Sequence, residues 1–142
     1  MKYVDGKVDD DLRRGGSRQE GGMGLQISLR KSGDVTIVDV RGPITSGPTG
    51  DSFSAEIRRL AESTPGGVLI NLAEVTQMDS SGIGVLVQSY VILTRGGSSL
   101  KLLNPTGRVR EVLEVTRLST ALAIYADEAR AVASFRAATP DA

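Results

Sequence analysis

Asp79, Ser80 and Ser81 stand between an apolar run and a long apolar-rich segment, and they are the residues best placed to do phosphate chemistry. They lie in the stretch Asn71-Leu72-Ala73-Glu74-Val75-Thr76-Gln77-Met78-Asp79-Ser80-Ser81-Gly82-Ile83-Gly84, which joins a predicted strand to a predicted helix. If Asp79 caps that helix, Ser80 and Ser81 occupy its first turn, where backbone N–H groups lack intrahelical partners and the dipole favours negative charge. A phosphate on Ser80 would then sit where a helix tolerates it best, bringing a charge of about −1.5 to −2. The Asp79 carboxylate would repel that phosphate, so a surface complementary to one state should reject the other. The same four residues, Asp-Ser-Ser-Gly, are also ordinary capping chemistry. Gly82 and Gly84 read equally well as positions of close helix–sheet packing. Spacing alone leaves both readings open.

The remaining composition narrows the chemistry. The 142 residues contain no Cys and no His, which removes disulfides, thiolate or imidazole metal sites, Ser-His-Asp hydrolysis and phosphohistidine relays. Lys and Arg number 17, as do Asp and Glu, so the formal net charge is zero and no broad footprint for nucleic acid or an anionic membrane is expected. No Gly-x-x-x-x-Gly-Lys-Ser/Thr loop occurs, and Gly96-Gly97 follows a predicted helix instead of opening one, which argues against a nucleotide hydrolase. The longest apolar run, residues 83–93 with Gln88 and Ser89 interrupting it, falls far short of the roughly 20 residues that span a bilayer. The charged start has no secretory h-region. A binding or switching protein without cofactor, cytoplasmic and not membrane-inserted, is the expectation.

The elements that must position Ser80 follow from patterning. Residues 1–24 are rich in Asp, Arg and Gly and predict a disordered tail, with residues 25–137 as one domain and residues 138–142 as a short tail. Leu25, Ile27 and Leu29 alternate as a strand; Ser32-Gly33-Asp34 supplies a turn; Val35 onward, β-branched, completes a hairpin. A loop from Gly42 through Pro48 precedes an amphipathic helix carrying Phe53, Ile57, Leu60 and Ala61, which ends near Pro65. The near-continuous run Val68-Leu69-Ile70-Asn71-Leu72 suits a central strand covered on both faces. A helix over residues 81–95 follows, closed by Gly96 and Gly97. Its Ile83, Val85, Leu86, Val87, Tyr90, Val91 and Leu93 wrap most of the circumference, so it is expected to be largely buried. Leu100, Leu102 and Leu103 make a fourth strand, Val109 to Leu113 a short helix, residues 121–125 a fifth strand, and Asp127 caps a last helix. The order β-β-α-β-α-β-α-β-α predicts an α/β fold with a mixed, mostly parallel sheet and helices against it.

The segment over residues 70–87 resembles the signature of the STAS family of anti-sigma factor antagonists, in which a strand and short loop lead into Met-Asp-Ser-Ser/Thr-Gly-Leu/Ile-Gly. Here it stands as Met78-Asp79-Ser80-Ser81-Gly82-Ile83-Gly84, and the order of elements agrees from Leu25 to Phe135. The resemblance implies a STAS fold and a switch. An unmodified antagonist binds a kinase-type anti-sigma factor and so frees a sigma factor; the anti-sigma factor phosphorylates the serine corresponding to Ser80, the complex dissociates, and a serine phosphatase restores it. The chain would then be a substrate with no catalytic residue or cofactor of its own. The docking surface so implied comprises Thr45, Ser46, Asp79, Ser80, Ser81 and Gly82.

The chain departs from the family pattern just after the second strand, where the insertion-like Gly47-Pro48-Thr49-Gly50 differs and one acidic position is changed. The commonly found Gly-x-Leu/Ile-Asp after the second strand is here Gly42-Pro43-Ile44-Thr45, so Thr45 replaces an acid. That departure motivates a second reading, a STAS scaffold that docks without being phosphorylated, as in a stress-signalling or lipid-transport complex.

Overall fold

The computed structural model describes residues 24–45, 47–63 and 66–137. Of the two tails read as disordered, residues 1–24 and 138–142, all but Gly24 lie outside these residues, as does Ser46. Five strands form one sheet in the order β1-β2-β3-β4-β5: β1 (Gln26–Ser32), β2 (Val35–Ile44), β3 (Gly67–Met78), β4 (Ser99–Leu103) and β5 (Ile124–Tyr125). The β1–β2 pair is antiparallel, turning through Gly33 and Asp34, and every later pair is parallel. The helices are α1 (Pro48–Ser63), α2 (Ser80–Arg95), α3 (Gly107–Val115) and α4 (Glu128–Ala137), with a 3₁₀ turn over Leu118–Thr120. This is the predicted order, and the mixed, mostly parallel α/β sheet is the predicted class.

Period-two alternation sends the β2 and β3 side chains into two cores. Val38, Val40, Ile44, Val68, Ile70 and Leu72 face Phe53 and Ile57 of α1, Leu86 and Leu93 of α2, and Val109 and Leu113 of α3. Ile37, Leu69 and Leu103 face the other way, against Ala131 and Val132 of α4. The run at Val68 to Leu72 is apolar because helices cover both sides of it, each fully buried aliphatic side chain contributing about 1.5–3 kcal/mol. Polar ties help seat α4. Arg30 reaches both Asp39 (2.6 and 3.0 Å) and Glu128 (2.9 and 3.0 Å), and Asn71 donates to Asp39 at 2.8 Å. These hydrogen bonds, to Glu128 first and Asp39 second, raise the Arg30 pKa above its ordinary value. Asp127 caps α4 as expected, its Oδ2 accepting the Arg130 N–H at 2.9 Å.

Four expectations are corrected. First, β3 does not stop at Leu72 but runs to Met78, because its second half pairs with Arg41 through Ile44 across two register shifts. Second, the loop expected over residues 42–48 is cut from both ends: β2 runs on to Ile44, paired with the extended β3, and α1 begins at Pro48, well before Phe53, since Pro at the first helical position costs no hydrogen bond. Third, β5 is two residues long, since the chain from Leu118 to Leu122 closes a tight turn, with the Ala121 and Leu122 N–H groups both bonded to the Leu118 carbonyl. Fourth, α2 is not largely buried. Its sheet-facing stripe is Gly82, Leu86, Ser89 and Leu93, whereas Val87, Tyr90 and Val91 are 41%, 36% and 39% exposed. The helix packs between α1 and the sheet on one side only, so its apolar residues outnumber the positions available for burial.

Candidate functional site

At the carboxyl end of β3 the chain leaves the sheet at Met78, and Asp79 adopts extended backbone angles (φ −110°, ψ −169°). Its Oδ1 accepts the Gly82 N–H at 3.0 Å, and its carbonyl accepts the Ile83 N–H at 3.0 Å, the first backbone bond of α2. Asp79 is therefore the N-cap, as its residue type implies. Ser80 and Ser81 are the first two helical residues. Both are exposed, and among the described residues no hydrogen bond holds either hydroxyl. Their own N–H groups precede the first intrahelical bond, so the dipole end and unpaired donors lie beside the Ser80 hydroxyl.

Gly82 is buried, and packing requires it: a β-carbon there would lie 2.2 Å from the Ile44 carbonyl oxygen and 2.8 Å from the Met78 Cγ. The end of β2 thus rests directly on the first turn of α2. On its other side, the Thr45 carbonyl oxygen would lie 2.4 Å from a β-carbon at Gly50 in α1. The Ile44–Thr45 segment is clamped between two helix starts, and both helices are glycine at the contact.

Thr45 is half-buried and tied to α1. Its Oγ1 lies 3.2 Å from the Thr49 Oγ1, its N–H donates to that hydroxyl at 3.3 Å, and the Thr49 hydroxyl is 3.3 Å from the Thr45 carbonyl. The neutral side chain that replaces an acid is thereby satisfied within its own corner. Of the residues singled out from sequence, Asp79, Ser80, Ser81 and Gly82 form the cap and first turn of α2, and Thr45 joins them through Ile44; Ser46 lies outside the described residues. Sequence reading noted Gly47-Pro48-Thr49-Gly50 only as an insertion-like departure from the family pattern; Thr49 and Gly50 instead lie in the first turn of α1, in contact with Thr45. It also took Val87, Tyr90 and Val91 for core. The spacing of Gly82, Leu86, Ser89 and Leu93 was the available signal, because it already fills one helix face.

The five-stranded, mostly parallel mixed sheet with its four helices is the fold of a STAS domain. The chain belongs to that family, whose sequence model matches residues 26–131. The anti-sigma-B factor antagonist of Bacillus subtilis (strain 168) is 29% identical over 109 residues, covering 73% of this chain and 94% of the relative. Among solved structures, an anti-sigma factor antagonist from Mycobacterium paratuberculosis superposes with a TM-score of 0.70 at 20% identity, over 79% of this chain and 94% of the other. The Bacillus cell fate determinant SpoIIAA in its phosphorylated form gives a TM-score of 0.60 at 20% identity, over 76% and 97%. A sulfate transporter family protein from Wolinella succinogenes gives 0.61 at 17% identity, over 74% and 87%. At these identities the structures speak for the shared fold. The chain is thus a distant relative of anti-sigma factor antagonists that also resembles a domain of the transporter family. No helix among the described residues is long and apolar enough to cross a membrane.

Proposed function

We propose that the chain is an anti-sigma factor antagonist whose unphosphorylated form binds a kinase-type anti-sigma factor and releases a sigma factor, and that phosphorylation of Ser80 switches this binding off. The observation that carries the reading is Ser80 itself, exposed as the first residue of α2 directly after the Asp79 cap. In the transfer, the Ser80 Oγ forms a bond to the γ-phosphorus of ATP, the bond from that phosphorus to the bridging oxygen of ADP breaks, and the hydroxyl proton passes to a base of the kinase. A serine phosphatase hydrolyses the resulting ester and resets the switch. The phosphate would lie at the α2 N-terminus, where it can be accommodated without unfolding the helix, and next to Asp79, which adds like charge at the docking surface. Asp79, Ser81, Gly82, Thr45 and Ser46 complete the proposed contact region.

The test incubates the full chain with ATP and each purified kinase-type anti-sigma factor of the host. Phosphate should be incorporated at Ser80, with Ser80→Ala retaining binding and Ser80→Asp losing it. Equal binding by the two variants would favour the scaffold reading, which the neutral, internally bonded Thr45 and the transporter-family resemblance support.

A further inference from the structure

The chain enters the domain beside Ser80. β1 runs antiparallel to β2, with Gln26 opposite Arg41, so the residues before Gln26 lead toward the Ile44 end of β2. A β-carbon at Gly42 would stand 2.1 Å from the Gly24 carbonyl oxygen and 3.3 Å from the Leu25 Cα, so these segments meet main chain to main chain. Two residues on, the Ile44 carbonyl rests on Gly82 in the first turn of α2. At about 3.3 Å per strand residue and 1.5 Å per helical residue, Gly24 is within roughly 20 Å of Ser80. The six-residue step from Arg18 to Gly24 can itself span up to about 20 Å.

This corner is short of cations. Residues 41–51 and 74–84, the segments that meet there, carry the acids Asp51, Glu74 and Asp79 and a single base, Arg41. Arg41 is already paired with Glu74 at 3.3 Å. Thr45 is neutral, and α2 has no base before Arg95. The N-terminal sequence holds what the corner lacks. Residues 13–23 carry Arg13, Arg14 and Arg18 against one acid, Glu20, whereas the more distant residues 1–12 carry four Asp against two Lys.

From the entry point and this charge pattern we propose that Arg13, Arg14 and Arg18 form an intramolecular clamp for the phosphate on Ser80. The proposal rests on the Ser80 switch and adds a regulator to it: the chain holds its own phosphoryl group and so prolongs the off state. Guanidinium groups suit the task because their planar donors pair with two phosphate oxygens at once. Three acids against one base leave the unmodified corner with two net negative charges, and phosphorylation adds about two more. The clamp therefore engages chiefly after the transfer. Tethering makes weak ion pairs sufficient, since a short linker holds its ends at an effective concentration on the order of millimolar.

The experiment uses the full chain with phosphoserine incorporated at position 80 during synthesis, so it does not depend on the kinase. The chain has no Cys, so Gln19→Cys carries a single nitroxide label. The amide signals of Thr45, Ser81 and Gly82 should broaden more in the phosphoserine chain than in its serine counterpart. The excess should vanish in the triple variant Arg13→Gln, Arg14→Gln, Arg18→Gln and in about 1 M salt, where the screening length is about 3 Å. It should survive Lys2→Gln, Lys7→Gln. A serine phosphatase of the host should release phosphate from the triple variant about threefold faster than from the parent, or more. Equal broadening with serine and phosphoserine, or equal hydrolysis of parent and triple variant, would overturn the clamp and leave the switch standing. Broadening of an isotope-enriched, unlabelled chain by a labelled second copy would overturn its intramolecular form. Failure of every kinase-type anti-sigma factor of the host to modify Ser80 would remove the switch, and the clamp's role with it.

Discussion

The Ile44 carbonyl oxygen lies 2.2 Å from where a β-carbon of Gly82 would stand, so the last residue of β2 and the third residue of α2 touch backbone to backbone. Real β-carbons do not approach an oxygen so closely, and the neighbour is main chain in a paired strand, which cannot swing away. Gly82→Ala should therefore cost about 2–4 kcal/mol, as overpacking and backbone displacement do in tight sites. Gly84→Ala should do the reverse. It removes an exposed helical glycine from open space and should add about 0.5–1 kcal/mol. Chemical denaturation of the two variants beside the parent chain measures both; a destabilised Gly84→Ala would show that α2 is not helical at that turn as described.

Asp79 couples capping to charge, and the two can be separated. Asp79→Ala removes the acceptor for the Gly82 N–H and should cost about 1 kcal/mol. Asp79→Asn keeps an acceptor oxygen and should retain most of that stability while removing the carboxylate next to Ser80. Denaturation midpoints report the first effect. The affinity of the phosphorylated Asp79→Asn chain for the kinase reports the second, which should exceed that of the phosphorylated parent.

Arg30 joins the β1 edge to α4 through Glu128 and to β2 through Asp39. The guanidinium and both carboxylates remain partly exposed, so solvent screening limits the contribution, and Arg30→Ala should cost about 1 kcal/mol and less at high salt. The raised Arg30 pKa stabilises the folded cation, a contribution present below the group's ordinary pKa and lost only above its raised one. Between about pH 5 and pH 9 the Arg30 cation should thus contribute no pH dependence of its own. Hydrogen exchange should locate the loss in α4, with β2 and β3 little changed.

Thr36 is 3% exposed, and its hydroxyl has no hydrogen-bond partner among the described residues. A buried hydroxyl left unsatisfied carries a desolvation penalty that an isosteric methyl does not. Thr36→Val should stabilise the chain by about 1–2 kcal/mol, read as a higher denaturation midpoint at unchanged slope. A destabilised variant would mean that a buried water satisfies the hydroxyl.

Much of this protein is legible in local chemistry. Asp79 and Asp127 announce helix starts because aspartate accepts the N–H groups that a first turn leaves unpaired, and both do so in the structure. The hairpin, the alternation of strands and helices, and the buried centre of β3 follow from residue types whose periodicity names the faces of each element. Periodicity does not say which faces a neighbour will cover. Val87 and Val91 carry the same apolar signature as Leu86 and Leu93, yet α1 and the sheet together cover only one side of α2. The extension of β3 to Met78 likewise depends on Arg41 to Ile44 lying alongside it, a pairing between segments some 33 residues apart. The order of elements, the caps and the serine at the head of α2 rest on bonds within a few residues and are readable from them. That Ile44 and Thr45 are held between Gly82 and Gly50, and that no described residue covers the outer face of α2, emerges only on folding. Both depend on distances between segments remote in the chain, which the packing of the whole domain sets.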